Sequence, residues 1–278
     1  MKEKNFIGKN VSSMRKYIHE KFNSHDSMSV TTELEELQSL SKTLNMQMLN
    51  SMVLKKTIEL IATRDITIHA LISLLEVRDI ESSNHTIRTQ RMMETLCEHL
   101  KTKEQYQQQL SHVYIDELIT TTPLHDIGKV GIPDKILLKP DKLTPEEFEI
   151  MKKHVDFGVE ALRNEAYCDQ DIPSFIKTAI EIVSAHHERY DGTGYPLGLA
   201  GEMIPLPGRL MAIIDVYDAL MSKRVYKPSY EHKEAIEMIK SEIGSHFDPY
   251  IAKSFLEIED KIYQIWRQYL KAETFNAI

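Results

Sequence analysis

Apolar residues recur at steps of three and four from Glu33 to Val77, through Leu34, Leu37, Leu40 and Leu44 and again at Leu71, Leu74 and Leu75. That period belongs to amphipathic helices. No glycine lies between Gly8 and Gly128, and the first proline is Pro123, so this half of the chain reads as helices joined by polar turns. Met46, Met48 and Met52 fall inside the run and are read as helix packing. Residues 1 to about 32 are mixed in charge and poorly periodic, which predicts a short helix behind a flexible lead. Past residue 120, short helical stretches alternate with loops. Thr144-Pro145-Glu146-Glu147 spells a helix start, with Thr144 as N-cap and Glu147 closing a capping box, and His154 is expected inside that helix. Pro249 to Ala272 again has helical spacing. No alternating strand pattern persists, so the fold class is all-α.

Composition places limits on partners. Of the 278 residues, 42% are hydrophobic and 27% charged, as in an ordinary globular protein. The formal charge of −8 argues against DNA or RNA polymers as partners, because affinity for polyphosphate backbones needs clustered Lys and Arg. No run is long and apolar enough for a membrane span, and Met1-Lys2-Glu3-Lys4-Asn5 lacks the apolar core of a secretory signal, so a cytoplasmic location is expected. Cys97 and Cys168 lack CxxC spacing, which predicts reduced thiols rather than a disulfide or a thiolate metal site.

The chemistry begins at Leu124-His125-Asp126-Ile127-Gly128-Lys129, where an imidazole and a carboxylate sit side by side on a predicted helix among apolar neighbours. Such a pair suits a mixed N/O metal site, although an isolated one is usually just a hydrogen-bonded couple. Further residues extend it. His186-His187 follows the apolar run Ile180 to Ala185, and Asp215 stands in an otherwise apolar helix where an unpaired charge would be costly. Glu81 and His85 are four residues apart, which puts them on one helical face if the turn is continuous.

Taken together, Glu81-x-x-x-His85, His125-Asp126-Ile127-Gly128-Lys129, His154, His186-His187-Glu188, Arg189-Tyr190-Asp191-Gly192-Thr193-Gly194-Tyr195-Pro196, Asp215-Val216-Tyr217-Asp218-Ala219 and His246-Phe247-Asp248-Pro249 resemble the HD-GYP family, a branch of the HD phosphohydrolases. The resemblance runs from about Arg78 to Pro249. It implies a helical HD-type metallophosphohydrolase bundle over residues 67–278, with a smaller amino-terminal helical region over 1–66. It also makes His85, His125, Asp126, His154, His186, His187 and Asp215 ligands of a binuclear iron or manganese centre, while Glu81 matches a position that helps to hold a third metal in some members. The family often has Glu-Thr-Gly where this chain has Glu81-Ser82-Ser83, and Arg-Pro-Tyr where it has Arg224-Val225-Tyr226. Neither departure removes an expected ligand.

By the same resemblance the chain is expected to be a phosphodiesterase that opens cyclic di-GMP to linear pGpG, with further cleavage to GMP left open and 3′,3′-cyclic GMP-AMP as the alternative substrate. Metals of this kind acidify bound water and neutralise phosphate, so no protein nucleophile is required. His125, Asp126 and Lys129 are the expected catalytic residues. Lys129, Arg224, Lys227 and Tyr195 are the expected substrate contacts. The loop from Arg189 to Gly201 holds four of the ten glycines but fits neither a P-loop nor a dinucleotide fingerprint. Resemblance identifies it as the GYP loop, a docking surface proposed for GGDEF cyclases. The competing classes are a non-catalytic cyclic-dinucleotide sensor or GGDEF-docking module and a monoester phosphohydrolase. The role of the amino-terminal helices is open between sensing a signal, forming a homodimer and capping the catalytic domain.

Overall fold

The structure, a computed structural model, describes residues 27–78, 84–163, 172–222 and 229–275. The predicted all-α class holds. Among the described residues there are helices and two isolated bridges, Asp191 to Ala200 and Ile243 to Phe247, with no named strand. The chain divides into two units between Arg64 and Asp65.

Helix α1 runs from Ser27 to Arg78 without interruption, a 52-residue element where helices joined by turns were expected. The absence of glycine and proline explains the continuity, since nothing in the run breaks the backbone ladder. The methionines do not pack as expected either. Met46 and Met52 are 63% and 65% exposed, and Leu40, Leu44, Leu49 and Ile58 are exposed with them. From Ile68 onward one face turns inward, where Ile68 and Ile72 cluster with Leu124 and Ala179.

The remaining helices are α2 (His85–Lys101), α3 (Glu104–Gln107), α4 (His112–Thr121), α5 (Asp134–Leu137), α6 (Pro145–Lys152), α7 (His154–Leu162), α8 (Ser174–Ala185), α9 (Leu206–Met221), α10 (His232–Ser241), α11 (Pro249–Glu257) and α12 (Glu259–Phe275). The core lies between α2 and α9. Met92, Met93, Leu96, Cys97 and Leu100 recur at helical spacing on α2 and face Leu210, Met211, Ile213, Ile214 and Tyr217 of α9. Phe255 of α11 and Ile262 of α12 complete the cluster. Each large side chain buried here contributes roughly 1.5–3 kcal/mol, enough for the core to hold a few costly polar groups near it.

Two boundaries differ from expectation at functional positions. His125-Asp126 is not on an α-helix but joins two 3-10 turns, Thr122–Leu124 and Ile127–Gly131. The Thr121 and Thr122 hydroxyls donate back to the Glu117 and Leu118 carbonyls at 2.6 and 2.7 Å, and Pro123 lacks an N–H, so α4 tightens and ends here. The Thr144 capping box forms as predicted, yet α6 stops at Lys152 and His154 opens α7. Likewise, the helical stretch from Pro249 divides into α11 and α12 at Ile258.

Candidate metal centre

The 3-10 turn after Asp126 lies directly on the start of α7. A Cβ on Gly128 would fall 1.8 Å from the His154 carbonyl oxygen, so only glycine allows the two backbones to meet this closely. Gly158, one turn along α7, similarly lets Val183 of α8 approach, and Gly208 of α9 packs against Ala185 at the end of α8. Three close crossings thereby bring Asp126, His154 and the His186-His187 pair together.

Two adjoining groups result. Asp126, His154, His186 and His187 each offer one ligand atom, all within 4.8 Å of one another, and His85, His125 and Asp215 form a second such group. Asp126 links them. Its Oδ2 is 3.2 Å from His125 Nε2, while its Oδ1 is 3.3 Å from His154 Nε2 and 3.9 Å from His186 Nε2. Seven of the expected metal-site residues are thus assembled from α2, α7, α8, α9 and the HD turn.

The imidazoles are oriented from behind. Nδ1 of His125 donates to the Thr122 carbonyl at 2.9 Å, Nδ1 of His154 to that of Met151 at 2.8 Å, and Nδ1 of His186 to that of Val183 at 3.0 Å. With the proton on Nδ1, the Nε2 lone pair is directed inward. These inner atoms fit a cation. Asp126 Oδ1, His154 Nε2 and His186 Nε2 are buried with no hydrogen-bond partner, because the short His154–Asp126 separation is not aligned as a hydrogen bond. Three unsatisfied buried groups cost roughly 1–3 kcal/mol each, a large share of the ~5–15 kcal/mol that stabilises a domain. A divalent ion bound by N and O donors would satisfy all three.

The electrostatics agree. Burial, then the neighbouring His125, pushes the His186 imidazole down to about 3, and burial with His186 takes His187 well below its ordinary value, so both are neutral donors. Burial would raise the Asp126 carboxyl, but Lys129, His125 and His154 outweigh it and hold it well below the carboxylate range. Burial opposes charge on His125, yet Asp126 and Asp215 raise its pKa.

Lys129 was expected near the ligands on a shared helix; it gets there from the 3-10 turn, with Nζ 2.9 Å from Asp126 Oδ2. Tyr195 stacks on His187, ring centroids 4.8 Å apart, and Lys152 of α6 lies 5.6 Å from the Tyr195 ring centre. Glu81, Arg224, Lys227 and Cys168 lie outside the described residues. Cys97 is a buried free thiol.

Sequence reasoning quoted Glu188 and Asp218 within motifs without giving them a task, and passed over Arg88. Glu188, 1% exposed, accepts from the Leu197 and Leu199 N–H groups at 2.8 and 3.0 Å and so pins the loop that carries Tyr195. Asp218 accepts from His85 Nδ1 at 2.8 Å, and Arg88 pairs with Asp218 at 2.6 Å. A sequence clue was present in the spacing, since Asp218 follows Asp215, and Arg88 follows His85, by one helical turn.

Comparison with known proteins gives the same picture. The HD domain family model matches residues 69–251. A cyclic di-GMP phosphodiesterase of Vibrio cholerae is 47% identical over 233 residues, covering 83% of this chain and 46% of that protein. One from Thermotoga maritima is 39% identical over 195 residues, covering 70% and 49%. A 3′3′-cGAMP-specific phosphodiesterase of Vibrio cholerae is 40% identical over 173 residues, covering 60% and 32%. The chain spans about half the length of the first curated relatives it matches. With the family model covering most of the chain and the His125-Asp126 and Arg189 to Pro196 motifs both in place, the chain belongs to the HD-domain family, in its HD-GYP branch.

Proposed function

We propose that this chain is a metal-dependent cyclic-dinucleotide phosphodiesterase that hydrolyses cyclic di-GMP to linear pGpG. The observation that carries the reading is the junction of two His/Asp groups at Asp126, together with the unsatisfied inward atoms Asp126 Oδ1, His154 Nε2 and His186 Nε2. A binuclear iron or manganese centre held by His85, His125, Asp126, His154, His186, His187 and Asp215 fits this donor set. Such a centre supplies, when bound, Lewis acidity toward a phosphodiester and an acidified water.

The side chains around it have separate tasks. Lys129 keeps a cation beside Asp126, in reach of a phosphate oxygen entering between the groups. Burial, followed by Asp126 and Asp215, pushes the Tyr195 hydroxyl above its ordinary value, so it stays protonated and can donate to substrate. Asp126 accepts from Lys129 through Oδ2, the oxygen that also faces His125 Nε2, and in this reading it relays a proton. Arg224 and Lys227 complete the phosphate contacts in this reading, and Glu81 is the candidate ligand of a third metal.

The catalytic domain in this reading covers residues 67–278, and the region 1–66 serves in association. The exposed apolar side chains of α1 favour a second copy of the chain as its partner, and the loop at Tyr195 is the candidate dock for a GGDEF protein. A cytoplasmic location agrees with the absence of a helix long and apolar enough to cross a membrane among the described residues.

A second reading, hydrolysis of 3′,3′-cyclic GMP-AMP, draws on the relative named for that substrate. The test is incubation of the iron- or manganese-loaded chain with cyclic di-GMP, pGpG and cyclic GMP-AMP, with products separated by chromatography. Faster loss of cyclic di-GMP is expected. Preference for cyclic GMP-AMP favours the second reading, and no product from either diester overturns both in favour of a sensor or docking module.

A further inference from the structure

Asp218 belongs to neither group of candidate ligands, yet it fixes how one of them presents its lone pair. Arg88 holds its carboxylate through two parallel hydrogen bonds, Nε to Oδ1 at 2.6 Å and Nη2 to Oδ2 at 2.8 Å. Both side chains are 2% exposed, so water does not compete with this fork. Oδ2 also faces His85 Nδ1 at 2.8 Å. A carboxylate paired with guanidinium only accepts hydrogen bonds, so the His85 proton resides on Nδ1. Nε2 then carries the lone pair rather than the proton and faces His125 Nε2 at 3.4 Å and Asp215 Oδ1 at 4.0 Å.

This arrangement differs from that of the other oriented imidazoles. His125, His154 and His186 take their orientation from main-chain carbonyls, which no substitution of a neighbouring side chain removes. For His85 the acceptor is a side chain. We propose that the Arg88–Asp218 pair is a positioning device for His85 that governs metal occupancy of the His85/His125/Asp215 group while leaving the Asp126/His154/His186/His187 group loaded. The inference rests on reading both groups as metal sites and is independent of which diester is cleaved.

Metal content after dialysis against Mn(II), measured by elemental analysis, tests it on the full chain. The unaltered protein is expected to hold two ions. Asp218→Asn, nearly the same shape, is expected to keep one with unchanged affinity and to bind the other roughly 10–100-fold more weakly. Arg88→Lys, which retains the positive charge, is expected to fall between the two. Unchanged affinity for both ions in Asp218→Asn, equal loss of both, or fewer than two ions in the unaltered chain would overturn the inference. If Asp218→Asn does not fold, long-range proton–nitrogen NMR of the metal-free, histidine-labelled protein decides: a proton on His85 Nδ1 supports the device and one on Nε2 excludes it. An unaltered chain that binds two ions but cleaves no diester sinks the hydrolase reading alone.

Discussion

Gly128 sits directly against the carbonyl of His154, so that a single added Cβ would lie within 1.8 Å of that oxygen. The contact is between two backbones, which no side-chain rotation can relieve. Gly128→Ala is therefore expected to destabilise the fold by at least about 2 kcal/mol and to separate Asp126 from His154. Urea denaturation checks the first effect, and Mn(II) titration the second.

Glu188 is a buried carboxylate whose visible task is to accept two loop N–H groups, those of Leu197 and Leu199. Glu188→Ala leaves both donors without their charged acceptor, a loss of roughly 2–4 kcal/mol. Hydrogen exchange at the Leu197 and Leu199 amides is expected to accelerate. With Tyr195 released from His187, the KM for substrate is expected to rise more than kcat falls. Unchanged exchange at both amides would remove Glu188 from this role.

Burial, with Arg189 nearby, lowers the His246 imidazole to about 4. Its ordinary value is about 6.5. The unfolded chain thus takes up this proton first as pH falls, and the folded state loses stability between about 6.5 and about 4, at up to about 1.4 kcal/mol per pH unit. Above that window the contribution is fully present. Denaturation at pH 7, 5.5 and 4.5 should show a shallower decline for His246→Gln than for the unaltered chain.

Asp126 Oδ1, His154 Nε2 and His186 Nε2 predict that metal removal costs stability as well as activity. Chelated protein is expected to melt at a lower temperature. Adding Mn(II) at about 100 times its Kd should return about 2.7 kcal/mol. A melting temperature indifferent to Mn(II) would contradict the assignment of these atoms to a cation.

How much of this was legible beforehand depended on whether a local rule or a tertiary contact decided the outcome. The Thr144 capping box was readable because both partners lie within one turn. The candidate ligands were readable through resemblance, and the structure brings seven of them together. The 3-10 geometry at His125-Asp126 was not, because it depends on threonine back-bonding and on Gly128 meeting another helix. Asp218 stood in a quoted motif, but its task was not legible, since its partners, His85 and Arg88, are distant in sequence. The methionines of α1 failed for a different reason: helical spacing predicts a face, not what covers it.

The last turns of α1 grip the chain on both sides of His125-Asp126. Upstream, Ile68 and Ile72 cluster with Leu124, the residue before His125. Downstream, the Arg78 guanidinium donates to the carbonyls of Val130 and Ile132 and to Asp134, bracketing the end of the 3-10 turn that carries Lys129. A helix advances by about 1.5 Å per residue and resists bending within a turn or two. Any slide or roll of these turns would therefore reach both ends of the HD segment at once, because the helix end holds that segment at two points.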